Sequence, residues 1–239
     1  MMQKKLSENL ENWEYISRYS DWMYRSYSQW IGKKIFDVGA GMGRLVSYYL
    51  PSAERAVATD IFQDQVDHMN KKFCMYSAFT AKKLNILEDE LTEFEGQFDT
   101  VLCINVLEHL SDDRTAIRKM YSLLEPGGNL IIMVPAFQNL YCQMDANVSH
   151  YRRYDRNVLR KMADDLGYVI SHDGYFNMLG ILPYFIKGKR KQGTEESFSS
   201  DLNEKNSKIY NFASKLLEPL EKICPPPLGL SEIFVIKRN

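Results

Sequence analysis

The sequence predicts an α/β protein built on a doubly wound, mostly parallel sheet. Three observations carry that expectation. Short apolar runs alternate along the chain with stretches of helical period. Two of the runs, "FDTVLCIN" and "GNLIIMVP", are apolar enough to be covered on both faces, as inner strands of a parallel sheet must be. A glycine-dense turn, Gly39 to Gly43, stands directly behind the first run.

The elements follow in order. Leu10, Trp13, Ile16, Tyr19, Met23, Tyr27 and Trp30 recur at intervals of three and four, which predicts an amphipathic lead-in helix between Ser7 and Trp30. The runs "KKIFDVG", "RAVATDIF", "FDTVLCIN" and "GNLIIMVP" read as strands. Ser111, Asp112 and Asp113 cap a helix that Pro126-Gly127-Gly128 is expected to end. A further helix starts near Asp155, presents Leu159, Met162, Ala163 and Leu166 on one face, and stops at Gly167. After "YVISHDGYF" the apolar "FNMLGILPYFI" leads into "KGKRKQGTEESFSSDLNEKNSK", whose charge and serine content predict a mobile insertion. A helix from about Ser207, with Ile209, Phe212, Leu216, Leu220 and Ile223 inward, precedes a final strand "SEIFVIKRN". No internal repeat interrupts the order, and residues 1–239 read as one domain: a lead-in of residues 1–31, a first half of residues 32–135, and a second half of residues 136–239 with an insertion at about 176–206.

Composition narrows the function. With 239 residues, 45% hydrophobic and 26% charged, the chain is long enough for one α/β domain with a substantial core. The net charge is -1 and the basic residues are dispersed, so nucleic acid is not an expected partner. Cys74, Cys103, Cys142 and Cys224 lie far apart without metal-type spacing; reduced thiols are expected, and no metal. The start "MMQKKLSENLENWEY" lacks the apolar core of a signal peptide, and no run of 18 apolar residues occurs, so a cytoplasmic protein without an integral membrane segment is expected.

The glycine turn excludes two familiar phosphate sites. A phosphate loop needs Lys then Ser or Thr after its last glycine, where this chain has Arg44 and Leu45. The dinucleotide fingerprint needs a glycine at position 44, which disfavours a nicotinamide oxidoreductase. The spacing is G-x-G-x-G, preceded by an acid: Asp37-Val38-Gly39-Ala40-Gly41-Met42-Gly43. With Asp60 placed 17 residues after Gly43, with "FDTVLCINVLEHL" and with "LLEPGGNLIIMVP", the sequence resembles the class I S-adenosylmethionine-dependent methyltransferases over most of its length.

The resemblance implies a seven-stranded, Rossmann-like methyltransferase fold with an N-terminal helix and a helical lid insertion before the last strand. It implies S-adenosylmethionine as cofactor and S-adenosylhomocysteine as product. Asp60 stands where the family's acid takes both ribose hydroxyls, a role suited to an acceptor-only carboxylate. Gly39, Ala40, Gly41 and Gly43 would let the methionine part approach bare backbone, with the following helix start supplying amide donors. Asp37 would orient that loop. Adenine would lie between Ile61 and the segment holding Asn85 and Ile86; Asn85 stands where the family often has an acid. Asn105, in the fourth-strand motif, completes the cofactor set, and Tyr19 is a candidate for closing over it. The bland alternatives are a tight turn at the glycines, a helix cap at Asp60, a turn residue at Asn85, and core packing at Tyr19.

Two segments are placed to serve a methyl acceptor. Methyl transfer from a sulfonium is an in-line displacement, and a hydroxyl acceptor also needs a base for its proton. Glu108-His109 follows the fourth strand at the sheet edge where ligands of doubly wound folds bind, and His109 is a catalytic candidate there or a cofactor-side residue. The segment "LYCQMDANVSHYRRYDRNVL" forms a long connection after the fifth strand. Its His-Tyr-Arg-Arg-Tyr core resembles a motif of a bacterial small-molecule branch of the family, where it covers the acceptor side. His150 is the general-base candidate, Tyr141 and Asp145 are expected to shape the acceptor site, and Arg152 or Arg153 to bind an anionic group. Alternatively both arginines and Tyr154 anchor the loop. His68 and His172 carry no catalytic argument. The stretch "FNMLGILPYFIKGKRKQ" reads as a lid helix with a solvated end, or as a contact to a lipid-linked or membrane-proximal acceptor.

The expected function is methyl transfer to oxygen or nitrogen of a small molecule such as a sugar, a glycan or a natural-product intermediate. The alternatives are a protein or RNA methyltransferase, and a non-catalytic sensor or scaffold that binds the cofactor.

Overall fold

In the computed structural model, residues 17–182, 184, 185, 215, 218, 219, 221 and 223–239 are described. The first part of the lead-in helix, the charged insertion and most of the helix expected from Ser207 lie outside the described residues.

Seven strands form one sheet: β1 (Lys34–Val38), β2 (Arg55–Asp60), β3 (Phe79–Lys83), β4 (Phe98–Ile104), β5 (Leu124–Pro135), β6 (Val169–Phe176) and β7 (Ser231–Lys237). Their order is β3-β2-β1-β4-β5-β7-β6, and β7 alone runs antiparallel to its neighbours. The doubly wound, mostly parallel seven-stranded sheet is as expected. Helices whose bounds lie wholly within the described residues are α1 (Ser17–Tyr27), α2 (Val46–Tyr49), α3 (Gln63–Lys72), α4 (Asp113–Ser122), α5 (Gln143–Asn147) and α6 (Arg156–Leu166).

Alternation along the strands sends side chains to two separate layers. Phe36, Val38, Val101, Cys103, Leu130 and Ile132 pack with Ile117 and Met120 of α4 and Leu159 and Met162 of α6. Ile35, Leu102, Ile131, Met133 and Val235 pack on the other face with Trp22, Met23 and Tyr27 of α1 and Val66 and Met69 of α3. Each such aliphatic side chain contributes about 1.5 to 3 kcal/mol on burial. Among the described residues no helix is long and apolar enough to cross a membrane, and the four cysteines are free.

Two boundaries differ from expectation or sharpen it. α4 starts as predicted, with the Asp112 carboxylate accepting the Thr115 amide at 3.0 Å, but it ends at Ser122 rather than at Pro126-Gly127-Gly128. Leu123 and Leu124 are fully buried, and the Pro-Gly-Gly stretch lies inside β5 at a register shift against β4. There the Gly127 amide donates to the Arg238 carbonyl and the Arg238 amide to the Gly128 carbonyl, so the backbone joins the end of β7 instead of breaking a helix. α6 ends as predicted, with Gly167 in the left-handed region at φ 72°.

The chain winds outward in both directions from β1 and β4, which are neighbours. The loops leaving their carboxyl ends therefore face one another across a crevice, the place where open α/β sheets bind ligands.

Candidate active site

The glycine loop after β1 owes its shape to positive φ angles, 68° at Gly39, 60° at Gly41 and 70° at Gly43. Space is equally restrictive. A Cβ on Gly39 would meet Val106 Cγ2 at 2.6 Å, and one on Gly43 would meet a Phe73 ring carbon at 2.7 Å. The loop is pinned by the Ala40 amide donating to the Thr59 carbonyl at 2.9 Å and the Gly41 amide to Asp60 Oδ2 at 3.0 Å. The helix expected to supply amide donors is a single turn, α2, so the loop's own amides are the available donors.

Two carboxylates close the floor of the loop. Asp37 is 2% exposed and accepts the Tyr49 hydroxyl at 2.9 Å. Burial pushes its carboxyl up to about 7, against the Tyr49 hydrogen bond and with help from the charge of Asp60. Asp60, also raised by burial, accepts the Phe62 amide at Oδ1 and the Gly41 amide at Oδ2. With its amide in the orientation that satisfies both ends, Gln65 donates to the same carboxylate at 3.0 Å. Most of the acceptor capacity of Asp60 is then in use, and ribose hydroxyls would compete with Gln65.

The other cofactor candidates separate by surroundings. Ile61 is exposed beside Asp60 and free to cover a ring. Asn85 turns its side-chain oxygen to the Leu87 amide at 3.1 Å and gives its own amide to Asp89, which is turn chemistry. Ile86 is buried in the core below β1, leaving its backbone for any contact. Asn105 is exposed in the left-handed region at φ 54°. Tyr19 packs its ring against Trp22 and Phe176 and accepts from Asn177 at 3.5 Å; burial pushes its hydroxyl up to about 12. Arg44, just past the loop, reaches back to Ser20 on α1 and is held below its usual value by burial.

Beyond β4 the structure brings together Glu108, His109, His150 and Asp145. Glu108 lies in the one-turn segment Leu107–His109 after β4, is 1% exposed, and has one oxygen, Oε2, without a hydrogen-bond partner among the described residues. Burial pushes its carboxyl up to about 7, against the charge of His150. The other oxygen lies 3.9 Å from His150 Nε2. The His109 and His150 rings meet edge to face at 4.7 Å, and burial lowers His109 to about 4. Asp145 Oδ1 stands 3.1 Å from His150 Nδ1. Ser149, with φ 66°, sets the backbone direction into His150, and the Tyr151 amide donates to the Glu108 carbonyl at 2.8 Å, tying the two segments together.

Asp145 is a hub rather than a surface group. It is 1% exposed and also accepts from Arg153 Nε at 2.9 Å, the Cys142 amide at 2.9 Å and the Tyr184 hydroxyl at 2.8 Å. Burial opposes its ionisation, but the His150 and Arg153 bonds prevail and hold the carboxyl well below the usual range. Arg153 is buried under the Tyr184 ring and donates to the Ala136 carbonyl. Arg152 pairs with Asp113 at 2.7 Å and with the Leu110 and Ser111 carbonyls. Tyr141 donates its hydroxyl to the His150 carbonyl at 2.8 Å. Tyr49, Gln65 and Tyr184 escaped the sequence reading. Nothing local marks them, because Tyr49 and Tyr184 find their carboxylates 12 and 39 residues away.

Comparison with known proteins agrees with the fold. A family profile described as "Methyltransferase domain" matches residues 36–130, the stretch from β1 into β5. The ubiquinone biosynthesis O-methyltransferase of Xanthomonas euvesicatoria pv. vesicatoria is 32% identical over 101 residues, 42% of this chain and 42% of that protein. The match thus spans less than half the length of the curated relatives. Among solved structures, a SAM dependent methyltransferase from Archaeoglobus fulgidus superposes with a TM-score of 0.59 at 16% identity, covering 93% of this chain and 95% of that one. A geranyl diphosphate methyltransferase in complex with GPP and sinefungin gives 0.59 at 11% identity, covering 87% and 73%. At such identities the likeness is one of fold. Residues 36–130 thus match a methyltransferase domain, and the sheet around them has the fold of the S-adenosylmethionine-dependent methyltransferases it superposes on.

Proposed function

We propose that the chain transfers a methyl group from S-adenosylmethionine to an oxygen atom of a small molecule. The observation that carries the reading is the closeness of two sites around β1 and β4. Val106 fills the space beside Gly39, and two residues further on Glu108 begins the imidazole and carboxylate cluster. The residues suit the cofactor. Gly39, Gly41 and Gly43 hold the loop in the left-handed region, Asp60 offers a carboxylate at the end of β2, and Ile61 is an exposed apolar neighbour for adenine. When bound, S-adenosylmethionine supplies a methyl carbon activated by its sulfonium sulfur.

The chain's own residues then have three tasks. The glycine loop and Asp60 orient the donor. The connection of residues 136–155, fastened by Arg152 and Arg153, walls the acceptor side and limits water. An imidazole takes the hydroxyl proton. His150, oriented by Asp145, is the candidate base, and His109, held neutral by burial, is its neighbour. Oxygen is preferred to nitrogen because a neutral amine needs no base before attack, and because the curated relatives are named O-methyltransferases. A small acceptor is supported by the near-neutral charge.

Calorimetric titration with S-adenosylmethionine, S-adenosylhomocysteine and NADH tests the cofactor, and labelled-methyl transfer to a panel of phenols and sugars tests the acceptor. Selective binding of the first two ligands is expected. Binding of NADH alone would overturn the reading.

A further inference from the structure

We propose that Glu108, His109 and His150 bind a divalent first-row transition-metal cation at the carboxyl end of β4. One carboxylate oxygen and one ring nitrogen from each histidine lie within 4.8 Å of one another. A tetrahedral cation at about 2.0 to 2.2 Å from such donors sets neighbouring ligands roughly 3.3 to 3.6 Å apart, so closure requires side-chain movements of about 1 Å.

Three features point to a ligand rather than to a chance cluster. Glu108 is 1% exposed and its Oε2 has no partner among the described residues, an arrangement that costs free energy unless a cation or proton answers it. Each imidazole is also held by a bond to the protein. His150 gives Nδ1 to Asp145 while Nε2 faces Glu108, and His109 bonds the Ser149 backbone. Metal-bound histidines are oriented in this way, by a carboxylate or carbonyl on the far nitrogen. Finally, Asp145 is itself locked by Arg153, Tyr184 and the Cys142 amide, so His150 is held in one orientation.

Two imidazoles and one carboxylate are a donor set for Zn²⁺, Fe²⁺, Co²⁺ or Mn²⁺, and three protein ligands leave coordination positions open. The site itself does not depend on the proposed function; only the use of the open position rests on that reading. There it would take the acceptor oxygen and lower the pKa of its hydroxyl, so that the proton leaves to water; with the cation bound, His150 is a ligand and no longer the base. The competing arrangement is a protonated His150 shared between Asp145 and Glu108 with no metal.

The test is Co²⁺ titration of the full chain after chelator treatment, followed by visible absorption and by displacement with Zn²⁺. One equivalent is expected, with a d–d band and without the charge-transfer band of a thiolate ligand. Glu108→Gln, His109→Asn and His150→Ala should each weaken binding by at least about tenfold, whereas His68→Ala should not. Circular dichroism melts check the fold of each variant, and any one folded ligand variant suffices for the comparison. Absence of saturable binding, a thiolate band, or equal affinity in the folded ligand variants would overturn the site. S-adenosylmethionine titration of the metal-free protein separates the two claims. Loss of that binding with Co²⁺ retained counts against methyl transfer alone, and the reverse against the metal alone.

Discussion

Arg153 and Asp145 form an ion pair at 2.9 Å whose side chains are 3% and 1% exposed. The pair joins the helical turn α5 to the segment that enters α6, and it holds His150 through the same carboxylate. Breaking one side strands a buried charge. Asp145→Ala is expected to lower unfolding free energy by about 3 to 5 kcal/mol in urea melts, with Asp145→Ala plus Arg153→Met recovering part of it. A single-variant cost below about 1 kcal/mol would show that the pair does not hold the connection.

Asp37 supplies a pH dependence with a definite sign. Its folded value, raised from 3.8 to about 7, means that the native state holds its proton more readily than the unfolded chain. Its contribution is fully present below pH 3.8 and is lost as pH rises through about 7. Asp37→Asn keeps an acceptor for Tyr49 without the titration. Its stability relative to wild type should therefore improve across that window, at a slope approaching about 1.4 kcal/mol per pH unit. A difference that stays flat with pH would place the Asp37 carboxyl at its ordinary value.

The glycines can be ranked. Gly39 and Gly96 share φ 68°, but a Cβ on Gly96 meets nothing within 4 Å whereas one on Gly39 meets Val106 at 2.6 Å. Gly96→Ala should cost about 1 to 2 kcal/mol for the backbone alone. Gly39→Ala should cost a further 1 to 3 kcal/mol or so for the clash, and should abolish cofactor binding. Equal thermal shifts for the two variants would count against the close approach of β1 and β4.

Asp60 and Gln65 make a paired prediction. Asp60→Ala should weaken S-adenosylmethionine binding by about 1.5 to 3 kcal/mol, the range for hydrogen bonds to a charged group. Gln65→Met removes the donor that occupies the same carboxylate and should leave affinity unchanged or improve it. Calorimetry reads both, and an unaffected dissociation constant in Asp60→Ala would mean that the ribose is held elsewhere.

Much of this protein was legible without coordinates wherever the signal was local and periodic. Alternating apolar runs announced β1, β2, β4 and β5, Gly167 marked the end of α6, and the G-x-G-x-G spacing after Asp37 separated this loop from phosphate and dinucleotide loops. Such features depend on backbone dihedrals and on period, which a stretch of ten residues already carries. The stop at Pro126-Gly127-Gly128 misled because the same residues serve a strand once β7 lies alongside.

The chemistry around His150 was of the other kind. Sequence placed His150, Asp145, Arg152 and Arg153 on the acceptor side, with His109 there or beside the cofactor, but could not say which of them touch. Folding sets Arg152 against Asp113 and Arg153 against Asp145, brings Glu108 to two imidazoles, and leaves its Oε2 without a partner among the described residues. Those outcomes turn on distances between groups tens of residues apart and on how much water the sheet excludes from each. Both are properties of packing, which no local pattern contains.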